Sequence, residues 1–164
     1  MNDPLPKVEL ALAPHGFRRI KDSGREFVCG AILKRQTINT NRAVAFVQLD
    51  SLPDDLSGLL KRVKKEVAFR CGFFPIFYGI GTQLVLVVAG AVPEKVELDR
   101  YVDKIDNQWS IIQSIFLVQA HSGLVSTTRT WGQYVTGKYQ DVILGTLSQS
   151  NESQAQPITG ANAG

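Results

Sequence analysis

The sequence predicts an α+β domain: an N-terminal helix followed by three β-β-α units, forming an antiparallel or mixed sheet with helices mainly on one face. Three observations carry this prediction. Residues 43–49 (Ala-Val-Ala-Phe-Val-Gln-Leu) are apolar at all but one position, as in a strand buried on both faces. Directly after it, Leu56, Leu59, Leu60, Val63 and Val67 recur at helical spacing and form one apolar stripe. The order of two strand-like runs and one amphipathic run then repeats twice more, without side-chain identity between the units.

The elements follow from local chemistry. Residues 5–15 hold Val8, Leu10, Ala11 and Leu12 and end at Pro14 and Gly16, which predicts a short helix. A basic connection, 17–25, turns at Ser23-Gly24, and 26–35 alternates as a strand. Asn39 and Asn41 punctuate a polar loop before the strand at 43–50. Ser51-Leu52-Pro53-Asp54 reads as the start of a helix over 54–71, with Ser51 as cap, Pro53 in the first turn and Gly72 closing it. The second unit has strands near 74–79 and 84–90, a turn at Gly79-Ile80-Gly81-Thr82, and a helix over 94–108. In the third, 111–119 suits either a continued helix or a strand. Its β-branched and aromatic residues favour the strand, followed by a turn at His121-Ser122-Gly123, a strand near 124–130 and a helix over 133–147. Residues 1–147 form one predicted domain, and the Ser/Gln/Asn/Gly-rich stretch 148–164 a flexible polar tail.

Composition narrows the function classes. With 164 residues, 44% hydrophobic and 20% charged, the chain is long enough for one ordinary core. Cys29 and Cys71 both fall on apolar elements, so no disulfide framework is expected. Met1–Pro6 lacks the basic start and apolar core of a secretory signal, which makes a cytoplasmic location the expectation. The uncharged run 71–92 has the length of a membrane span. It is broken by Gly72, Pro75, Gly79, Gly81 and Gly90 and fits buried strands better, so no membrane association is expected. The net charge of +3 is unevenly spread: residues 1–72 carry thirteen Lys/Arg against eight Asp/Glu, and residues 73–164 five against seven.

Signatures of chemistry are sparse. His15, His121, Cys29 and Cys71 are single residues without the close pair of a zinc site, so no metal and no cofactor is predicted. His121-Ser122 sets an imidazole beside a hydroxyl, but chain neighbours rarely face one another, and no G-x-S-x-G elbow is present. A helix–hairpin–helix–strand order with a basic half would suit a metal-dependent nuclease. Such a site needs an acidic residue two positions before a lysine, and no [DE]-x-K occurs anywhere. Gly79-x-Gly81 lacks the Gly-Lys-Ser/Thr of a phosphate loop. The acidic residues Glu94, Glu97, Asp99, Asp103 and Asp106 are interleaved with Lys95, Arg100 and Lys104, as on a solvated helix face.

No catalytic residue is therefore predicted. The first functional expectation is a small protein-interaction module, self-associating or binding another protein through a sheet edge, an exposed helix face or the tail. The alternative is nucleic-acid binding through phosphate contacts by the basic half, namely Arg18, Arg19, Lys21, Arg25, Lys61, Arg62, Lys64 and Lys65. A weaker alternative is a hydrolase whose site joins residues distant in sequence, with His15 or His121 beside a carboxylate or a Ser/Cys nucleophile.

Overall fold

Strand pairing in the computed structural model sets the architecture, and the structure describes residues 3–21, 27–37, 41–72, 80–93, 97–101, 110–123, 125–128 and 133–152. Helix α1 spans Leu5–Leu12, and a 3-10 turn covers Ala13–His15. Next come β1 (Arg18–Arg19), β2 (Ala31–Gln36), β3 (Asn41–Leu49), α2 (Leu56–Arg70) and β4 (Ile80–Val88). A second 3-10 turn covers Leu98–Tyr101, and β5 (Ser110–Gln119), β6 (Val125–Thr127) and α3 (Gln133–Glu152) complete the order. The sheet is mixed, with strand order β1-β2-β3-β4-β5-β6. β3, β4 and β5 run parallel to one another, while the remaining neighbours pair antiparallel.

Parallel neighbours cannot be joined by a hairpin, so each such pair needs a crossover of a dozen or more residues. α2 supplies the one between β3 and β4, and the segment holding Leu98–Tyr101 supplies the one between β4 and β5. α2 lies on one face of the sheet, where Leu56, Leu59, Leu60, Val63 and Val67 meet Ala43, Ala45, Leu84, Leu86, Ile115 and Leu117. α1 and α3 cover the other face: Val8, Leu12, Tyr139, Ile143 and Leu147 pack with Val44, Phe46, Val85, Val87 and Phe116. The alternate residues of each central strand thus enter two separate cores, and Ala43–Val47 is buried throughout.

This three-layer arrangement replaces the predicted helices mainly on one face; of the predicted β-β-α units the first and third are present as β2-β3-α2 and β5-β6-α3, and the second falls largely outside the described residues. Gly79–Thr82 does not form the predicted turn over its described part: Ile80, Gly81 and Thr82 open the nine-residue strand β4. Gly81 takes no special backbone conformation there; its missing side chain leaves room for Gln113, whose amide would lie 2.5 Å from an added Cβ. The strand expected near 74–79 falls on 73–79, outside the described residues. Of the helix expected over 94–108, the described residues 97–101 form only the 3-10 turn. The stretch 110–120 is a strand, and His121-Ser122-Gly123 is the turn to β6, with Gly123 at φ 67° and donating to the Gln119 carbonyl at 2.8 Å. α3 runs on to Glu152, past its expected end at residue 147.

The start of α2 is also set differently. Asp55, not Ser51, is the N-cap; its carboxylate accepts from the Gly58 amide at 2.8 Å. Pro53 disfavours helical geometry at Leu52, so the helix begins beyond it. At the other end Gly72 sits at φ +68°, in the left-handed region that terminates helices. Glycine is required for a second reason at Gly90, whose amide donates to the Asp50 carbonyl and where a Cβ would stand 2.8 Å from that oxygen. No described helix is long and apolar enough to cross a membrane.

One charged pair ties α2 to the chain leading into β2. Glu66 is 8% exposed, and its carboxylate accepts from the Val28 amide at 2.8 Å and the Cys29 amide at 3.1 Å. Arg70, one turn on, donates to Glu66 Oε1 and to the Cys29 carbonyl, both at 3.1 Å, and stacks on Phe27 at 4.6 Å. Glu66→Ala removes the acceptor of two backbone amides and the carboxylate partner of the Arg70 guanidinium, so a loss of about 3–5 kcal/mol is expected in urea unfolding. Asp55→Ala, which removes only an exposed cap, should cost about 1 kcal/mol in the same assay. Equal losses in the two variants would contradict the clamp.

Candidate functional site

Arg35 near the end of β2 and Arg42 at the start of β3 are direct cross-strand partners, so their side chains emerge together on one face. That face is the one shared with Leu33 and Val44, beneath α1 and α3. Tyr139 of α3 closes over both. Its ring centroid lies 5.3 Å from the Arg35 guanidinium carbon and 5.0 Å from that of Arg42, within cation–π range. Arg35 Nη1 also donates to the Tyr139 hydroxyl. His15 and Phe17 meet the same ring edge-on, at 5.6 and 5.2 Å between centroids.

Two like charges are thus held against one aromatic ring. Burial pulls the Arg42 pKa below its ordinary value; Tyr139 opposes the shift and neighbouring Arg35 adds to it. Arg42 Nη1 is buried without a hydrogen-bond partner. On the same face, Gly81 pairs with Arg42 and carries no side chain, and the Gln113 amide fills the space above it. Gln113 Oε1 and Ser114 Oγ are likewise buried without partners. The result is a polar corner of two guanidiniums, a phenol and an amide, inserted into an otherwise apolar layer.

The predicted basic residues are only partly brought together. Arg18 and Arg19 form the exposed edge strand β1, opposite Lys34 and Leu33 respectively. Strand alternation sends Arg18 to the α2 side with Lys34 and Ile20, and Arg19 to the α1/α3 side. Lys34 Nζ reaches the Cys71 carbonyl at the end of α2. On α2, Arg62 and Lys65 are exposed along the flank turned toward β2, the flank that also carries Glu66. Phe69 joins them and is 65% exposed. Lys61 is exposed one turn before Lys65 on the outer face of the helix, and Lys64 is half-buried on the opposite flank. Lys21 is exposed just beyond β1, and Arg25 lies outside the described residues.

A third feature is a cleft of about 790 Å³ beyond the carboxyl ends of the parallel strands, where open α/β sheets commonly bind ligands. Asp54, Glu97, Asp99, Arg100, Tyr101 and Ser126 contribute to its wall. Three of its four charged side chains are already engaged: Asp99 accepts from the Thr128 hydroxyl, and Arg100 pairs with Glu97 in solvent. Neither histidine lines it; His15 rests on Tyr139 and His121 is exposed in the β5–β6 turn. Among the described residues no group of three His, Cys, Asp or Glu is placed to hold a metal ion.

Sequence reasoning missed both the Glu66–Arg70 clamp and the arginine–tyrosine corner. The i,i+4 spacing of Glu66 and Arg70 was a signal for the first. For the second, Arg35 and Arg42 stand symmetrically about the polar 36–41 turn, the spacing that makes hairpin residues cross-strand partners. Comparison with protein-family models, curated proteins and solved structures finds no match to this chain.

Both thiols are buried and free, near the Glu66–Arg70 clamp. Burial pushes the Cys71 thiol from 9.0 up to about 11 against the pull of Lys34 and Arg70. Cys29 is pushed up by burial and then by the Glu66 carboxylate. A raised folded-state value keeps each thiol neutral where the unfolded chain ionises, so stability is complete below pH 9 and falls as pH rises toward about 11. Urea midpoints should therefore be flat from pH 7 to 8.5 and decline above pH 9 more steeply than in Cys71→Ala. Identical alkaline slopes would contradict the assignment.

Proposed function

We propose that this chain binds nucleic acid through its phosphate backbone, using the β2-facing flank of α2 and the adjoining sheet edge. The observation that carries the reading is the grouping of Arg62, Lys65 and the exposed Phe69 on one flank of α2, on the same side of the sheet as Arg18 and Lys34. Cations that track phosphates beside an aromatic ring for base stacking are the parts of a single-strand-binding surface. Contacts of this kind release counterions and are blind to sequence. Glu66, the carboxylate on that flank, is committed to Val28, Cys29 and Arg70 and leaves the exposed surface basic. The reading is one of binding without cleavage, since no [DE]-x-K supplies metal-assisted hydrolysis.

The competing reading, a protein-interaction module, has less in its favour. The exposed large apolar residues among those described are Leu10 on α1 and Phe69 on α2, which lie on opposite sides of the sheet and form no shared patch. The edge strands β1 and β6 are two and three residues long, short templates for strand addition.

Fluorescence anisotropy with single- and double-stranded oligonucleotides at several salt concentrations tests the reading. Three or four phosphate contacts predict a log–log salt slope of about −2 to −3 for single strands. Arg62→Glu with Lys65→Glu should weaken binding more than tenfold. Phe69→Ala should weaken single-strand binding more than duplex binding, by a factor of about five or more. Absence of binding at low salt, or an equal loss from charge reversal of Lys64, would overturn it; the first outcome would leave protein binding as the surviving alternative.

A further inference from the structure

We propose that Arg35, Arg42 and Tyr139 form a receptor for a phosphate group, at a site separate from the basic flank of α2 and independent of it. The argument begins with charge. Arg35 and Arg42 are cross-strand partners stacked on a single ring, and no carboxylate among the described residues pairs with either. Two guanidiniums in contact with one ring repel each other, and burial lowers the charge affinity of Arg42 further. A bound dianion removes both penalties at once.

The geometry supplies the donors that such a ligand needs. Arg42 Nη1 is buried and unpartnered, and Tyr139 carries a hydroxyl already oriented by Arg35. His15, half-buried on the rim of the same ring, is a further group able to face an anion. Arg35 and Arg42 themselves remain half-buried, so the corner is open to solvent on one side. Paired guanidiniums beside a phenol hydroxyl favour tetrahedral oxyanions, because planar N–H forks bind phosphate oxygens two at a time. Purely structural arginines would be expected to have a carboxylate neighbour or to direct their N–H groups at carbonyls, as Arg70 does.

The phosphate group has two sources, free inorganic phosphate or the terminal phosphate of a larger molecule, and the experiment separates them. The full chain is titrated with sodium phosphate by calorimetry and thermal shift, against sodium chloride at equal ionic strength. The terminal-phosphate arm compares a 5′-phosphorylated oligonucleotide with its 5′-hydroxyl counterpart. A saturable shift of the melting temperature by phosphate beyond that by chloride is expected, and Arg42→Gln should weaken phosphate binding at least tenfold. Arg100→Gln, an exposed arginine paired with Glu97, should bind as the parent chain does. If Arg42→Gln fails to fold, side-chain NMR of the unaltered protein replaces it: the Nε–Hε signals of Arg35 and Arg42 should move on phosphate addition while that of Arg62 stays in place. No phosphate-specific shift in either arm, undiminished binding by Arg42→Gln, or unmoved Arg35 and Arg42 signals would overturn the proposal. Because Arg62 and Lys65 lie across the sheet, loss of oligonucleotide binding in their variants reports on the other site.

Discussion

Parallel pairing of β3, β4 and β5 is the constraint on which the rest of the molecule depends. Parallel strands pair only when the chain is carried back to the same starting edge, which places α2 on the sheet by necessity. Strands so placed must be buried on both faces, because the crossovers and flanking helices leave no solvated side. The central strands accordingly supply two cores at once: Ala43, Ala45 and Val47 toward α2, Val44 and Phe46 toward α1 and α3.

With both sheet faces occupied, polar residues are tolerated at the strand ends and on the outer helix flanks. At the amino ends of β3 and β4 the apolar layer under α3 gives way to Arg42, Gly81, Gln113 and Ser114. On the opposite side, the Glu66–Arg70 clamp satisfies the backbone entering β2 and holds α2 with its Arg62, Lys65 and Phe69 flank beside that edge. Both anion-binding proposals thus rest on where the layers stop. A solvent-facing flank favours extended, sequence-blind contacts, and a half-closed corner favours one small ligand.

The contrast between the two sets of arginines and lysines is energetic. Exposed Lys61, Arg62 and Lys65 keep their hydration, so each adds little except when a polyanion releases its counterions. Arg42 has lost part of its hydration and has a like-charged neighbour, so its charged form is disfavoured there. Desolvation makes such a site selective, since unpaired buried donors penalise any ligand unable to satisfy them.

The sequence by itself determined what is local. The amphipathic stripe of α2, its glycine terminus, Gly16 as the close of the N-terminal helical stretch, and the β-branched character of β4 and β5 follow from side-chain pattern and backbone preference, although β4 starts at Ile80, inside the predicted turn. The unbroken apolar run of β3 even carried the information that both sheet faces are covered. It was outweighed by glycines at 79 and 81, because a glycine that makes room for Gln113 looks the same in sequence as one that makes a turn. Tertiary structure alone decided strand direction, the division into two cores, the burial of Glu66 with Arg70 and the meeting of Arg35, Arg42 and Tyr139. The physical reason is range. Tyr139 and Arg35 are 104 residues apart, and no propensity or period couples positions at that separation until the layers are packed.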